Sequence, residues 1–298
     1  MTGAIVAVIV REFIRFWRQI GRLVATFARP LLWLIVIGSG FEKVVPTFGT
    51  VSYKQFLLPG IFGMVLLFST MLSALATVHD REFGPIRMLL IAPLPRSVAV
   101  IAKTLSSTLL GFVQCVLLMP LIWILGLRPD FTAIVYFLGA VLVLALALSS
   151  LGMVIASRLK SVENFAGIMN FLMFPLFFLS SSLYPASLLP GFLQPLVRAN
   201  PLTYGVDLIR HELLHGLFTA NYSADYTTSF DLLVLVVTAG VLLLLACLLF
   251  GEEDHLGRIL LVESPRPKKQ ARSWKKPGRA EASELASAPA IPPAVADE

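Results

Sequence analysis

Long apolar runs, separated by short stretches that contain charged residues, proline or glycine, dominate the 298-residue chain. Six runs are candidates for crossing a bilayer, whose hydrocarbon is spanned by about 20 apolar residues. They cover residues 24–41, 55–78, 104–126, 132–157, 164–184 and 231–250. Only helices and closed barrels satisfy their backbone polar groups in lipid, and barrel strands would alternate apolar and polar residues. The pattern therefore predicts an all-α membrane protein with six transmembrane helices.

The composition favours the same class of protein. Hydrophobic residues make up 57% of the chain and charged residues 14%, whereas soluble domains are about 25% charged. An ordinary soluble enzyme and a disordered chain are thereby excluded. The formal net charge is +6, but the basic residues lie in short stretches between apolar runs and not on one folded face. We therefore expect no nucleic-acid partner.

The distribution of Lys and Arg predicts the orientation in the membrane. With the N-terminus inside, 19 of the 24 basic residues lie on the inner side and 5 on the outer side. Because cytoplasmic loops carry the excess of positive charge, both termini are expected in the cytoplasm. The prediction is a multi-pass protein of the inner (cytoplasmic) membrane, with residues 79–103 inside and residues 185–230 outside.

Residues 1–23 precede the first predicted span and have an amphipathic pattern. Arg11, Arg15, Arg18 and Arg22 follow one another at intervals of four, three and four, so a helix places them on one face. Apolar residues, Trp17 among them, occupy much of the remaining surface. The segment is predicted to be an interfacial helix that contacts membrane lipids, with its arginines toward phosphates and Trp17 at headgroup depth.

The six predicted spans belong to a transmembrane domain of residues 24–250. Three segments outside the spans have sequence patterns that predict their structure. In residues 79–103, apolar positions recur at helical spacing before Pro93 and Pro95, which predicts a short amphipathic helix that docks a soluble partner. Residues 185–230 predict short helices at the outer surface, partly re-entrant in one interpretation. Residues 251–298 predict a cytoplasmic tail, disordered from about residue 263 because its composition cannot bury a core.

Two absences limit the possible chemistry. The predicted spans hold no Asp, Glu, Lys, Arg or His away from their ends, although ion-coupled carriers usually need such a group. An ion-coupled secondary carrier stays open as an alternative, since backbone carbonyls can bind sodium. The 298 residues contain no G-x-x-x-x-G-K-[ST] motif. We therefore expect a chain that is not an enzyme and binds no cofactor, with any ATP and Mg²⁺ on a partner.

One short motif suggests a different function. His211-Glu212-Leu213-Leu214-His215 fits H-E-x-x-H, in which two imidazoles bind zinc and the glutamate activates water. A membrane zinc metalloprotease is thus an alternative, with Asp225 or Asp231 as a third ligand. An amphipathic surface helix with no metal is the favoured interpretation, because five residues are a short signature.

The layout resembles that of ABC-2 type transporter permeases, the membrane subunits of ABC exporters, over about residues 5–255. The order of an interfacial helix, two spans, a patterned inner loop, three spans, an outer helical segment and a last span is the first likeness. The second is the loop pattern carried by Glu82, Gly84, Leu89, Leu90, Pro93, Leu94 and Arg96. The third is the segment Asn-Pro-Leu-Thr-Tyr, residues 200–204, before the last span.

The resemblance implies a permease homodimer with two copies of an ABC ATPase subunit. In that family the loop after the second span forms a coupling helix that lies in a cleft of the ATPase, and the stretch 150–161 is similar to the one that leads to a second cytoplasmic contact. Leu89 and Leu90 would fill the apolar cleft, and Gly84 would permit close approach. The residues expected to couple this chain to the ATPase are Glu82, Phe83, Gly84, Arg87, Leu89 and Leu90.

Overall fold

A computed structural model describes residues 2–18, 20–42, 51–83, 96–186, 189–214 and 226–263. Ten α-helices lie in these ranges, and a 3₁₀ turn, Gly191–Leu193, precedes the eighth. Their bounds are α1 Thr2–Arg18, α2 Ile20–Phe41, α3 Tyr53–Glu82, α4 Arg96–Leu118, α5 Pro120–Ile124, α6 Phe131–Arg158, α7 Val162–Phe178, α8 Gln194–Ala199, α9 Pro201–Leu214 and α10 Thr228–Glu263. The prediction of an all-helical protein is confirmed for these ranges. The described residues up to His255 belong to one compact unit, and those from Leu256 to Glu263 belong to another. The predicted disordered tail from about residue 263 lies outside the described residues.

Four stretches of helix among the described residues are long and apolar enough to cross a membrane. They are Tyr53–Glu82, Ser97–Ile124, Phe131–Arg158 and Thr228–Phe250, and they overlap four of the predicted spans. The apolar parts of α2 and α7, Thr26–Phe41 and Val162–Phe178, are shorter than the roughly 20 residues a span needs. The count of six spans therefore stays a prediction.

Helix α7 ends at Phe178, six residues before the end of the predicted span 164–184. Pro175 lies in its last turn, where its ring nitrogen has no hydrogen to donate. Ser181 then takes a left-handed backbone conformation with φ 51°, and the Ser180 hydroxyl donates to the Phe177 carbonyl at 2.6 Å. Serine side chains that bond to nearby backbone compete with helix, so the chain turns here.

Helix α3 lies at the centre of the compact unit. In the most apolar stretch of α3, 78% of the residues are buried, against 17% in that of α10. Helix α3 packs against α2, α4, α6, α7 and α9. A capping box starts α3: the Ser52 hydroxyl accepts from the Gln55 amide, and the Gln55 side chain accepts from the Ser52 amide. In the core, the rings of Phe62 and Phe137 meet edge to face with centroids 4.9 Å apart, which joins α3 to α6.

Helix α9 is buried, with 12 of its 14 residues inside the compact unit. The helix therefore packs inside the protein, and its predicted place at the outer surface or partly within the membrane stays a prediction. Gly205 permits this packing, because a side chain at this position would clash with Leu144 of α6. On α3, Gly63 leaves room in the same way for Leu202 and Val206. The two glycines thus allow α9 to lie close against both α3 and α6.

Candidate functional site

Five charged side chains meet where α1, α3 and α4 come together, and we call them the charge cluster. The Lys103 Nζ lies 2.7 Å from Glu12 Oε1 and 2.8 Å from Asp80 Oδ2. Arg15 donates to Asp80 Oδ1 at 3.0 Å. Arg11 donates to Asp80 Oδ2 at 3.3 Å and to Glu12 Oε1 at 3.1 Å. Each helix supplies at least one charge, so the cluster ties α1 to the end of α3 and the start of α4.

The charge cluster changes the interpretation of α1. Arg11 and Arg15 were predicted to face phosphates, but the structure turns both toward Asp80. The exposed side of α1 carries Val6, Val10, Ile14 and Trp17, which recur at helical spacing and suit the apolar part of an interface. Arg18 is exposed, so the contact of its side chain with lipid phosphates stays a prediction.

Pairing with opposite charges stabilises the buried charged side chains of the cluster. The side chains of Asp80, Glu12 and Lys103 are 4%, 6% and 10% exposed. Burial alone would raise the pKa of the Glu12 carboxyl, but Lys103, helped by Arg11, outweighs burial and holds that pKa below its usual range. Glu12 therefore stays ionised at neutral pH. From the sequence, the basic members were assigned to membrane orientation and, for Arg11 and Arg15, to lipid phosphates, while Glu12 and Asp80 were assigned no role. Charged side chains are almost never fully buried unless they are paired, but their burial was not evident from the sequence.

Two of the six predicted coupling residues lie among the described residues. Phe83 is 66% exposed, and its ring centroid lies 4.6 Å from that of His79. The Glu82 side chain is exposed, and its carboxylate accepts a hydrogen bond of 2.6 Å from the Val162 amide at the start of α7. Gly84, Arg87, Leu89 and Leu90 lie outside the described residues, so the coupling helix stays a prediction.

A second polar group lies at the opposite end of α3, around α9. The buried Arg210 guanidinium donates to the Ser181 carbonyl at 2.6 Å and lies 4.4 Å from the Phe56 ring centroid. Arg210 is also 3.6 Å from the Asp207 carboxylate, which accepts from the Tyr226 amide at 2.9 Å. These contacts join α9 to the end of α7 and to the segment that precedes α10.

Among the described residues, one group of three side chains has the spacing of potential metal ligands, and it lies in the same region. Asp207, His211 and Asp231 each offer a ligand atom, and these atoms lie within 4.8 Å of one another. The Arg210 guanidinium beside Asp207 already brings a positive charge to the group, which opposes a second cation. His215, the other imidazole of the H-E-x-x-H motif, lies outside the described residues. The paired-imidazole zinc site therefore remains an untested alternative.

Comparisons with known proteins point to a family of membrane transporters. A family model described as ABC-2 type transporter matches residues 3–214. The transport permease ycf38 of Cyanophora paradoxa is 28% identical over 245 residues, which are 78% of this chain and 84% of the relative. The inner membrane transport permease YadH of Escherichia coli K12 is 27% identical over 236 residues, covering 77% and 87%. Nodulation protein J of Neorhizobium galegae is 25% identical over 221 residues, covering 70% and 80%.

The family match runs from α1 to α9 and includes the charge cluster and the end of α3. It also includes the segment of residues 84–95 in which the coupling residues were predicted. The resemblance stated from the sequence is thereby confirmed. The helices, their apolar surfaces and the match over more than half of the chain together establish that this protein belongs to the ABC-2 type transporter family and is a membrane transport permease.

Proposed function

We propose that this chain is the transmembrane subunit of an ATP-driven exporter and that a separate ATPase subunit powers it. One combination carries the proposal: the chain belongs to the ABC-2 family, yet its 298 residues contain no P-loop motif. A transporter of this kind then needs ATP bound by another chain. The relatives named as permeases, one of them an inner membrane permease, support a place in the inner membrane.

In the proposed assembly six helices cross the bilayer and both termini face the cytoplasm. The apolar parts of α2 and α7 would be the two remaining spans, since a short helix can cross where the bilayer thins locally. The excess of Lys and Arg on one side supports this orientation. Two permease chains would pair, and two ATPase subunits would lie against their cytoplasmic loops.

The proposed coupling surface is the loop that follows α3. Phe83, Gly84, Arg87, Leu89 and Leu90 would contact the ATPase, with the two leucines in an apolar cleft. Glu82 begins this surface, but its carboxylate bonds to Val162 within the chain. ATP favours the closed ATPase pair, and that closure would move the loop and tilt the helices between inward-open and outward-open states.

Purification with a candidate ATPase tests this function. The permease is tagged, co-expressed with a P-loop ATPase encoded beside its gene, and isolated from membranes in mild detergent. We expect the eluate to hydrolyse ATP, and we expect hydrolysis to stop when the ATPase's P-loop lysine is replaced. The tagged permease expressed alone is the control and should show no hydrolysis. Hydrolysis by the permease alone would contradict the proposal, as would the absence of any captured ATPase.

A further inference from the structure

The last turn of α3 is bonded to both helices that flank the turn at residues 159–161. The first bond comes from Arg81, whose guanidinium donates to the Ala156 carbonyl at 2.9 Å and to the Ser157 carbonyl at 3.5 Å. These carbonyls lie in the last turn of α6, where backbone oxygens have no amide partner within the helix. A basic side chain that satisfies them is also favoured by the negative end of the helix dipole.

The second bond comes from the neighbouring residue. Glu82 accepts from the Val162 amide at 2.6 Å, and Val162 is the first residue of α7. Ser161 occupies the cap position but makes no capping bond with its side chain. The Glu82 carboxylate therefore takes the place of a local cap and brings negative charge to the positive end of α7.

Adjacent residues of α3 thus hold the end of one helix and the start of the next. We call Arg81 and Glu82, with these bonds, the α3 clamp. The Arg81 guanidinium also lies 4.9 Å from the Phe250 ring centroid of α10. Only Phe83 separates the clamp from Gly84, the first predicted coupling residue that lies outside the described residues.

We propose that Arg81 and Glu82 are positioning residues that transmit displacement of the loop after α3 to α7. The proposal rests on the function proposed above and assigns Glu82 to a contact within the chain in place of the predicted contact with the ATPase. Packed helices can slide past each other by small shear movements, whereas directional hydrogen bonds at both ends of the 159–161 turn resist such sliding. Movement of α3 therefore carries α7 with it.

Helix α4 offers an internal comparison, because it starts at Arg96 on the far side of the same loop. Displacement of the loop reaches α4 through the backbone and does not need the clamp. The two helices should therefore respond differently when the clamp is removed. Exposed residues for reporters exist on each: Phe171 on α7 is 79% exposed, and Leu117 on α4 is 49% exposed.

The test places one spin label at Phe171→Cys or at Leu117→Cys, in protein whose natural Cys115 and Cys247 are replaced by alanine. Complexes are purified through a tag on the ATPase, so that every labelled permease carries its partner. Label mobility is compared without nucleotide and after trapping with ATP and vanadate. The clamp variants are Glu82→Ala alone and Glu82→Ala combined with Arg81→Ala.

We expect nucleotide trapping to change label mobility at both sites in the unaltered clamp. In the clamp variants the change at residue 171 should be lost, while the change at residue 117 persists. Glu82→Gln keeps an acceptor oxygen for the Val162 amide and should restore most of the change at residue 171. Glu163→Ala is the matched control, since Glu163 is an exposed carboxylate in the first turn of α7, and it should leave both changes intact.

Three results would overturn the proposal: a persisting change at residue 171 in the clamp variants, loss at both sites together, or no change at residue 171 with the clamp intact. The single variant decides the matter if the double variant does not fold. Failure of the permease to capture an ATPase refutes the proposed function itself, and with it this inference, and is seen at purification before any label is measured.

Discussion

Changing Leu89 and Leu90 together to aspartate should release the ATPase from the permease. Buried apolar anchors at the centre of an interface each contribute about 2 kcal/mol or more, and each 1.4 kcal/mol is roughly a tenfold change in affinity. Loss of two anchors would thus weaken binding by about a thousandfold, before the cost of burying a carboxylate is added. The dissociation constant of the purified subunits, measured in detergent by biolayer interferometry, gives the result directly.

A matched control for that variant uses two exposed apolar residues on the predicted outer side. Phe192 and Leu196 are 78% and 54% exposed, and their change to aspartate should leave ATPase binding unchanged. Monodisperse elution of each variant shows that the permease has folded. If the Leu89 and Leu90 variant binds the ATPase as tightly as the unaltered chain, the loop is an ordinary connector and the proposed coupling surface is wrong.

Within the charge cluster, Asp80→Asn should destabilise the permease far more than Lys103→Met, although the two residues are partners. Without Asp80, one carboxylate remains in the cluster for three basic groups, and Arg15 loses the carboxylate it bonds to. Losing one partner of a buried pair costs about 3–5 kcal/mol. Without Lys103, Glu12 keeps Arg11 and Asp80 keeps Arg15, and a methionine can fill the space. The midpoint of thermal unfolding in detergent, followed by loss of the monodisperse peak, measures the difference.

Two further measurements complete that experiment: a double variant within the cluster and a control ion pair outside it. Because the two residues share one network, Asp80→Asn combined with Lys103→Met should cost less than the sum of the single changes. The control is the ion pair of Lys54 and Glu42, whose charged atoms lie 2.7 Å apart and whose side chains are both partly exposed. Lys54→Met should cost less than about 1 kcal/mol. Equal losses for Asp80→Asn and Lys103→Met would contradict the pairing described here.

Features set by local sequence were predictable before the structure. The apolar runs give the positions of α3, α6 and α10, because about 20 consecutive apolar residues indicate a helix that spans a membrane. The matches at residues 82–96 and 200–204 gave the family. The end of α7 was predicted six residues too late, since hydropathy does not register the turn that Ser180 and Ser181 form.

Features that depend on contacts between distant segments were not predictable in the same way. The burial of α9 needs Gly205 to meet Leu144, and nothing near Gly205 in the sequence reveals that neighbour. The arginine spacing of α1 was right for a helix, but the direction of Arg11 and Arg15 is decided by Asp80, which lies on α3. Glu82 belonged to a recognised motif, yet its bond to Val162 required the folded chain.

The mass of the complex isolated through a tag on this chain tests the central claim most directly. Native mass spectrometry of that complex, released from detergent, reports both composition and copy number. The account predicts a mass equal to two permease chains of 32.6 kDa plus two ATPase subunits, with loss of the ATPase mass on addition of the Leu89→Asp and Leu90→Asp changes. A folded permease that is isolated at the mass of its own chains alone, from membranes that contain the candidate ATPase, would contradict it.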